Sequence, residues 1–411
     1  MNGTGRVVAI GIAALPLAGV VAACTSILGV EAVHFVDAGA PGTDAALDVN
    51  HAADARATHD ARHDAAHEGG VDAGHDAGLP PCSGGLTRCG QACVDLQTSS
   101  TDCGGCGLAC NVPCAGGECV VTLASGQRSP FALAVDSTHL YWTNDDADGG
   151  AVVRVPVGGG SPDTLAANRS SPAGITLDDQ YVYWNDYSGA EAMLREPLDG
   201  GAIVTLEGAQ VGPYYLAILG GRLFWTNRTG GEVLTVPTSG GAAVTLASGR
   251  TAPADIAVTP SAVYWSEATT GLILKLAVTN GVASGGVITL ASAQPSPAGI
   301  AADGTSVYWI NQTATDASAD GRAVVKTGIN GGPVVVLASG RANPLHLAID
   351  SAHVFWADYV DAGAVLKVPL GGGAPVTLVT GQSQPHNLTV DSTSVYWSDV
   401  GSFSVMKVTP K

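Results

Sequence analysis

Tyr141-Trp142-Thr143-Asn144 is the first of seven short strings whose recurrence decides the fold of this 411-residue chain. The others are Tyr183-Trp184-Asn185-Asp186, Phe224-Trp225-Thr226-Asn227, Tyr264-Trp265-Ser266-Glu267, Tyr308-Trp309-Ile310-Asn311, Phe355-Trp356-Ala357-Asp358 and Tyr396-Trp397-Ser398-Asp399. No tryptophan lies outside them, and successive ones are separated by 42, 41, 40, 44, 47 and 41 residues. Self-similarity at such a period signals a repeat architecture.

Outward from the first string, the pattern fits four strands. Residues 130–136 alternate as an inner strand, an Asp-Ser-Thr turn follows, and Leu140-Tyr141-Trp142 forms the second strand. Residues 152–155 form the third, with Arg154 expected to face water, as Lys367 and Lys407 do in later repeats. A turn such as Gly159-Gly160 or Gly372-Gly373 supplies the positive φ of a tight hairpin. The outer strand carries Thr164-Leu165, or Thr377-Leu378 in the sixth repeat. Four strands in about 41 residues is the size of a propeller blade. Adjacent Tyr and Trp point to opposite faces, so each blade offers an aromatic to either neighbour. The seventh repeat lacks an outer Thr-Leu strand, and a spare one, Val121-Thr122-Leu123-Ala124, precedes the first tryptophan. The expected fold is therefore an all-β, seven-bladed β-propeller over residues 120–411, closed by its N-terminal strand so that no blade is left open.

The tetrapeptide Tyr-Trp-[Thr/Ser]-[Asp/Asn] resembles the YWTD repeat of low-density-lipoprotein-receptor propellers, over residues 121–411. Those domains have six blades, so the resemblance implies similar blades rather than the same domain. It also implies that the fourth residue is structural and bridges neighbouring repeats. From the residues themselves, Asn144, Asp186, Asn227, Glu267, Asn311, Asp358 and Asp399 read as turn caps. Asn144, Asp146, Asp148 and Gly149 mimic the start of a calcium loop, but its twelfth position is Val155 rather than Glu, and no metal site is assigned.

The segment ahead of the repeats divides into three. Residues 1–23 read as an export signal: Arg6 precedes an apolar run that is short for a membrane span. Val21-Ala22-Ala23-Cys24 resembles the bacterial lipobox, which implies acylation of Cys24. In that family Thr25 in place of Asp implies the outer membrane. Residues 24–81 read as a lipid anchor and tether: from Glu31 to Pro81 they are Asp, Ala, His and Gly with almost nothing to bury, a disordered coil spanning roughly 40 Å. Metal capture by His51, His59, His63, His67 and His75 is the weaker reading, because their spacing is irregular. Residues 82–119 hold Cys82, Cys89, Cys93, Cys103, Cys106, Cys110, Cys114 and Cys119. A stretch this short needs staples, and an exported chain with an even cysteine count implies four disulfides of open connectivity rather than zinc. Cys93-Val94-Asp95-Leu96 with Asp102-Cys103-Gly104-Gly105-Cys106 resembles a cysteine-rich module of myxobacterial surface lipoproteins.

A net charge of −18 would repel phosphate backbones, so nucleic acid is excluded as a partner. No cofactor is expected. Candidate ligand residues come from the positions just after the proline that opens each inner strand. Some repeats carry small residues there, such as Ala173-Gly174 and Ala298-Gly299, whereas four carry Tyr214-Tyr215, Asp255, His346 and His386-Asn387. Two rings with nearby hydrogen-bonding groups suit a glycan or peptide. The expected function is a lipid-anchored, outer-membrane or cell-surface binding module. The alternatives are a propeller lyase or lactonase with His346 or His386 as base, and a plain spacer.

Overall fold

The structure, a computed structural model, describes residues 82–411 apart from 90, 105, 107–109, 111–113, 115, 147–148 and 314–321. The expected signal peptide, Cys24, the histidines of the tether and Asp148 of the calcium-like loop lie outside the described residues.

Seven antiparallel sheets follow one another, each ordered from inner to outer strand. Blade 1 is built from Pro130–Val135, His139–Asn144, Gly150–Pro156 and Asp163–Arg169. Blade 7 takes Pro385–Val390, Val395–Asp399 and Ser404–Thr409 from the C-terminus and its outer strand, Cys119–Ala124, from the N-terminal side. The spare Thr-Leu segment thus closes the ring as expected, with Val121 opposite Lys407. Blade 4 adds a two-residue strand, Val282–Ala283, inside a longer hairpin. The expected alternation along the inner strands is not found. Pro172–Leu177, Pro297–Ala302 and Pro385–Val390 are buried at every residue, because neighbouring blades press on both faces.

Seven apolar clusters hold the ring together, and each joins consecutive blades. The Tyr or Phe of one blade packs in the same cluster as the Trp of the next: Tyr141 with Trp184, Tyr183 with Trp225, Phe224 with Trp265, Tyr264 with Trp309, Tyr308 with Trp356, and Phe355 with Trp397. Tyr396 with Trp142 completes the circle. Opposite faces of one strand therefore feed two interfaces, and all seven indoles are fully buried.

In six of the seven strings the fourth residue bridges blades, as the resemblance implied, and is not chiefly a turn cap. Its partner there lies 17 residues earlier, just after or at the end of the preceding blade's outer strand. Asn144, Asn227 and Asn311 each donate to a glutamine, Gln127, Gln210 and Gln294, at 3.1, 3.0 and 3.1 Å. Asp186, Glu267 and Asp358 instead pair with arginines: Arg169, then Arg250 at 2.7 Å and Arg341 at 2.5 Å. In these six pairs an amide meets an amide and a carboxylate meets a cation, so none of these buried carboxylates lacks a counter-charge.

The third-strand cations do not face water. Arg154, Arg195, Lys275 and Lys407 reach the next blade and donate to the carbonyls of Leu198, Thr238, Ile329 and Val157. Lys367 is half-buried. Their stems cover apolar surface while the charged heads find carbonyls. At the far ends of the inner strands, Asp136, Asp178, Asp303 and Asp391 accept the next turn's N–H groups and the hydroxyl of Tyr141, Tyr183, Tyr308 and Tyr396. Blade 6 has Phe355 in place of the tyrosine, and there Asp350 takes the Lys411 ammonium at 2.8 Å instead.

The cysteine-rich module is a short hairpin, Thr87–Cys89 with Ala92–Val94, held by four disulfides: Cys82–Cys93, Cys89–Cys106, Cys103–Cys114 and Cys110–Cys119. The last bond ends on the strand that closes blade 7, so module and propeller share backbone.

Candidate functional site at the proline end of the channel

Each inner strand opens with a proline paired to the fourth residue of its string, as Pro130 is to Asn144. The ladder then skips two residues, resuming at Leu133 opposite Trp142. Proline has no N–H to offer there, and the residues after it are released from the sheet. In blades 1 and 7 the motif's Thr or Ser takes up the freed groups. Thr143 Oγ1 accepts the N–H of Ala132 at 3.1 Å and donates to the carbonyl of Ala173 in blade 2 at 2.7 Å. Ser398 does the same for Asn387 and Phe131, across the closing interface. The ladder of blade 5, which carries Ile310, skips only one residue, whereas that of blade 6, with Ala357, skips two.

These released residues line one mouth of the channel. At Gly174 an added Cβ would sit 2.6 Å from Leu216 and 2.9 Å from the carbonyl of Tyr214, so no side chain fits. Elsewhere the side chains are large and meet across the axis. Phe131 of blade 1 lies 4.9 Å from the ring of His386, His386 lies 4.7 Å from His346, and His346 lies 6.4 Å from Tyr215 of blade 3. Tyr214 stacks edge-on against Tyr215 at 4.2 Å. Four of the six residues expected from sequence thus join one arc of rings, and Asn387 follows His386 directly.

Asp255 is held by backbone groups. Its two oxygens accept the N–H groups of Ile256 at 2.7 Å and of Ile300, in blade 5, at 2.6 Å. It braces two inner strands.

The polar groups of the arc have a distinctive state. Both ring nitrogens of His346, Nδ1 of His386, both amide atoms of Asn387 and Oδ1 of Asn185 are buried and meet no hydrogen-bond partner from the protein. Burial holds the His346 imidazole well below its usual range, with His386 beside it pushing the same way. Burial alone takes His386 down to about 4. Both imidazoles are neutral at pH 7, each with one donor and one acceptor nitrogen.

A second tier lies above the arc, and the sequence reading missed it. It comes from the residue after the bridging one, which is Asp145, Tyr187, Arg228, Ala268, Gln312, Tyr359 and Val400 in successive blades. Tyr187 packs 5.4 Å from Tyr214, the Arg228 guanidinium sits 5.1 Å from the same ring, and Tyr359 meets His386 edge-on at 5.5 Å. Burial raises the Asp145 carboxyl, with a hydrogen bond from Ser171 opposing it. The signal was present: this place in the repeat varies widely in chemistry. Phe131 was equally legible, since it follows Pro130 directly.

Fold and mouth together define a seven-bladed propeller with buried, unpartnered polar groups at one end of its channel. No family model matches the chain, and no curated protein matches it. Among solved structures it is similar to virginiamycin B lyase from Staphylococcus aureus, with a TM-score of 0.59 and 13% identity, covering 72% of this chain and 99% of that one. A catalytically inactive histidine-to-alanine variant of that lyase with quinupristin matches at a TM-score of 0.58 and 14% identity, over 72% and 100%. The computationally designed Ika8 protein matches at 0.50 and 14%, over 71% and 98%. At these identities the likeness is one of fold.

Proposed function

We propose that this chain is a non-catalytic binding propeller whose channel mouth takes a small polar ligand, or the polar end of a glycan or peptide. One observation carries the reading. His346, His386, Asn387 and Asn185 bury six hydrogen-bonding atoms without protein partners. Each orphaned polar atom costs about 1–3 kcal/mol. Groups held at that cost, beside aromatic faces, are suited to a ligand that supplies the missing donors and acceptors. Neutral imidazoles favour an uncharged polar ligand over an anion. The test is titration calorimetry of wild type, His386→Ala and Asn387→Ala against oligosaccharide and peptide libraries. Hits lost in both variants, with folding retained, support the reading; hits that persist in both reject it.

One observation favours a second reading, a lyase. A neutral imidazole is the form a general base requires, and two lie side by side here. The fold is shared with a lyase that a histidine-to-alanine substitution inactivates. Turnover of a bound hit, abolished by His386→Ala, would establish this reading over the first.

The lipobox-like string supports placement at the outer membrane through an acylated Cys24. Cys24→Ala should then move the protein from the membrane to the soluble fraction.

A further inference from the structure

Phe403 takes a left-handed backbone position that blades 3 and 4 give to glycine. In blades 3 and 4 the residue four places before the paired third-strand residue (Thr235, Lys275) is Gly231 or Gly271, with φ of 68° and 67°. In blade 7 the same place before Lys407 is Phe403, at φ 54°. A bulky residue in the left-handed region is strained where glycine is not. Blade 2 also departs from glycine, with Glu191 at φ 43°, but there the carboxylate accepts the N–H of Gly212 at 3.4 Å. The Phe403 ring gains no such return, being 55% exposed. Both backbone and hydration favour glycine, so the ring serves something other than the fold.

What it borders is an open pocket of about 540 Å³ over the junction of blades 7 and 1, shared with Gln127, Arg128, Asp145 and Asp146. The size lies within the range of small-molecule sites. Arg128 Nη1 lies 3.2 Å from Asp146 Oδ2, with the arginine side chain 74% exposed. An ion pair so placed contributes little to stability.

We infer that this pocket is a carbohydrate subsite, with Phe403 as the platform for a pyranose ring. The C–H face of a pyranose is apolar and slightly positive, and it matches the negative face of an aromatic ring. Its hydroxyls project from the edge and need acceptors and donors together, which the Asp146 carboxylate and Arg128 guanidinium present side by side. An apolar peptide side chain would need an enclosed apolar pocket, and Phe403 is the one large apolar side chain here. The inference deepens the binding reading by naming a ligand class, but it does not depend on the channel histidines.

The experiment screens the full chain against an array of defined oligosaccharides and follows each hit by titration calorimetry in wild type, Phe403→Gly, Phe403→Trp and His386→Ala. Phe403→Gly should weaken hits at least tenfold without lowering the melting temperature, and Phe403→Trp should retain them. No hit on wild type, hits unchanged in Phe403→Gly, or a melting point several degrees lower in that variant would each overturn the assignment. Hits retained in His386→Ala support the Phe403 subsite and count against a glycan at the channel mouth, so the two readings fail separately.

Discussion

Asp399 is the one bridging residue without its complementary partner. The residue 17 places earlier is Gln382, whose amide donates instead to the carbonyl of Thr380 at 3.2 Å. Asp399 Oδ2 accepts the N–H of Ser383 at 3.1 Å, but Oδ1 is buried without a partner, as is the Trp397 indole N–H. Burial raises the carboxyl above its usual range. Blades 2, 4 and 6 solve the same problem with Arg169, Arg250 and Arg341. Gln382→Arg should therefore stabilise the protein by about 1 kcal/mol, since a charge-assisted bond replaces an orphaned oxygen. Urea unfolding at pH 7 checks it, and a variant no more stable than wild type refutes it.

The histidines give a pH dependence at the same scale. Their folded pKa lies below the unfolded value of about 6.5, so between the two the unfolded chain binds more protons. Stability should then be complete above pH 6.5 and fall as pH drops toward 4, by about 3 kcal/mol for His386 alone. Asp399, with its raised carboxyl, acts in the opposite direction, so total stability mixes the two. The difference between wild type and His386→Asn isolates the histidine. That difference should change by about 1.4 kcal/mol per pH unit below 6.5, and a flat difference would mean the imidazole is hydrated and charged in the fold.

Strands show which parts of the design were legible. The tryptophan period revealed seven blades, four strands each, because every blade reuses one packing solution and the indole is its least replaceable part. The closing strand was legible because a strand was short at one end and spare at the other. Other features hide in pairings between blades. Asn144 with Gln127, or Asp186 with Arg169, shows no local pattern, since the partners belong to different sheets. Arg154 looked solvated because alternation within one strand says nothing of a neighbouring blade's carbonyl. Asp255 stood out among small residues, but the bridge its carboxylate makes between two backbones was not legible, because one of them belongs to the next blade. A prediction belongs here. Trp265 is shared by the faces of blades 3 and 4 and is wholly buried. Trp265→Ala should cost about 3–5 kcal/mol, and a much smaller loss in chemical denaturation would mean the interface collapses around the gap.

At the scale of the molecule, a ring of seven similar interfaces is only as strong as its closure. Blade 7 is stitched from both ends of the described chain, through Cys119–Ala124 paired with Ser404–Thr409. The same junction holds the Tyr396–Trp142 cluster, the Lys407 bond to Val157 at 2.9 Å and the Ser398 bond to Phe131 at 3.0 Å. The cysteine-rich module bears on it directly. Cys110–Cys119 anchors the start of the closing strand, and Gly104 packs so close to Pro410 that a Cβ there would lie 2.8 Å from the proline ring. Two perturbations separate the strand from its clasp. Deleting residues 121–124 removes the outer strand and should lower the melting temperature of the whole propeller in one cooperative step, because opening one blade exposes both of its interfaces. Replacing Cys110 and Cys119 together by serine leaves the strand but frees its start, so it should cost less, on the order of 2–3 kcal/mol for a short loop. Scanning calorimetry distinguishes the outcomes. If the deletion melts with wild type, closure does not rest on this strand. If the double serine variant falls as far as the deletion, the clasp rather than the strand pairing holds the ring shut.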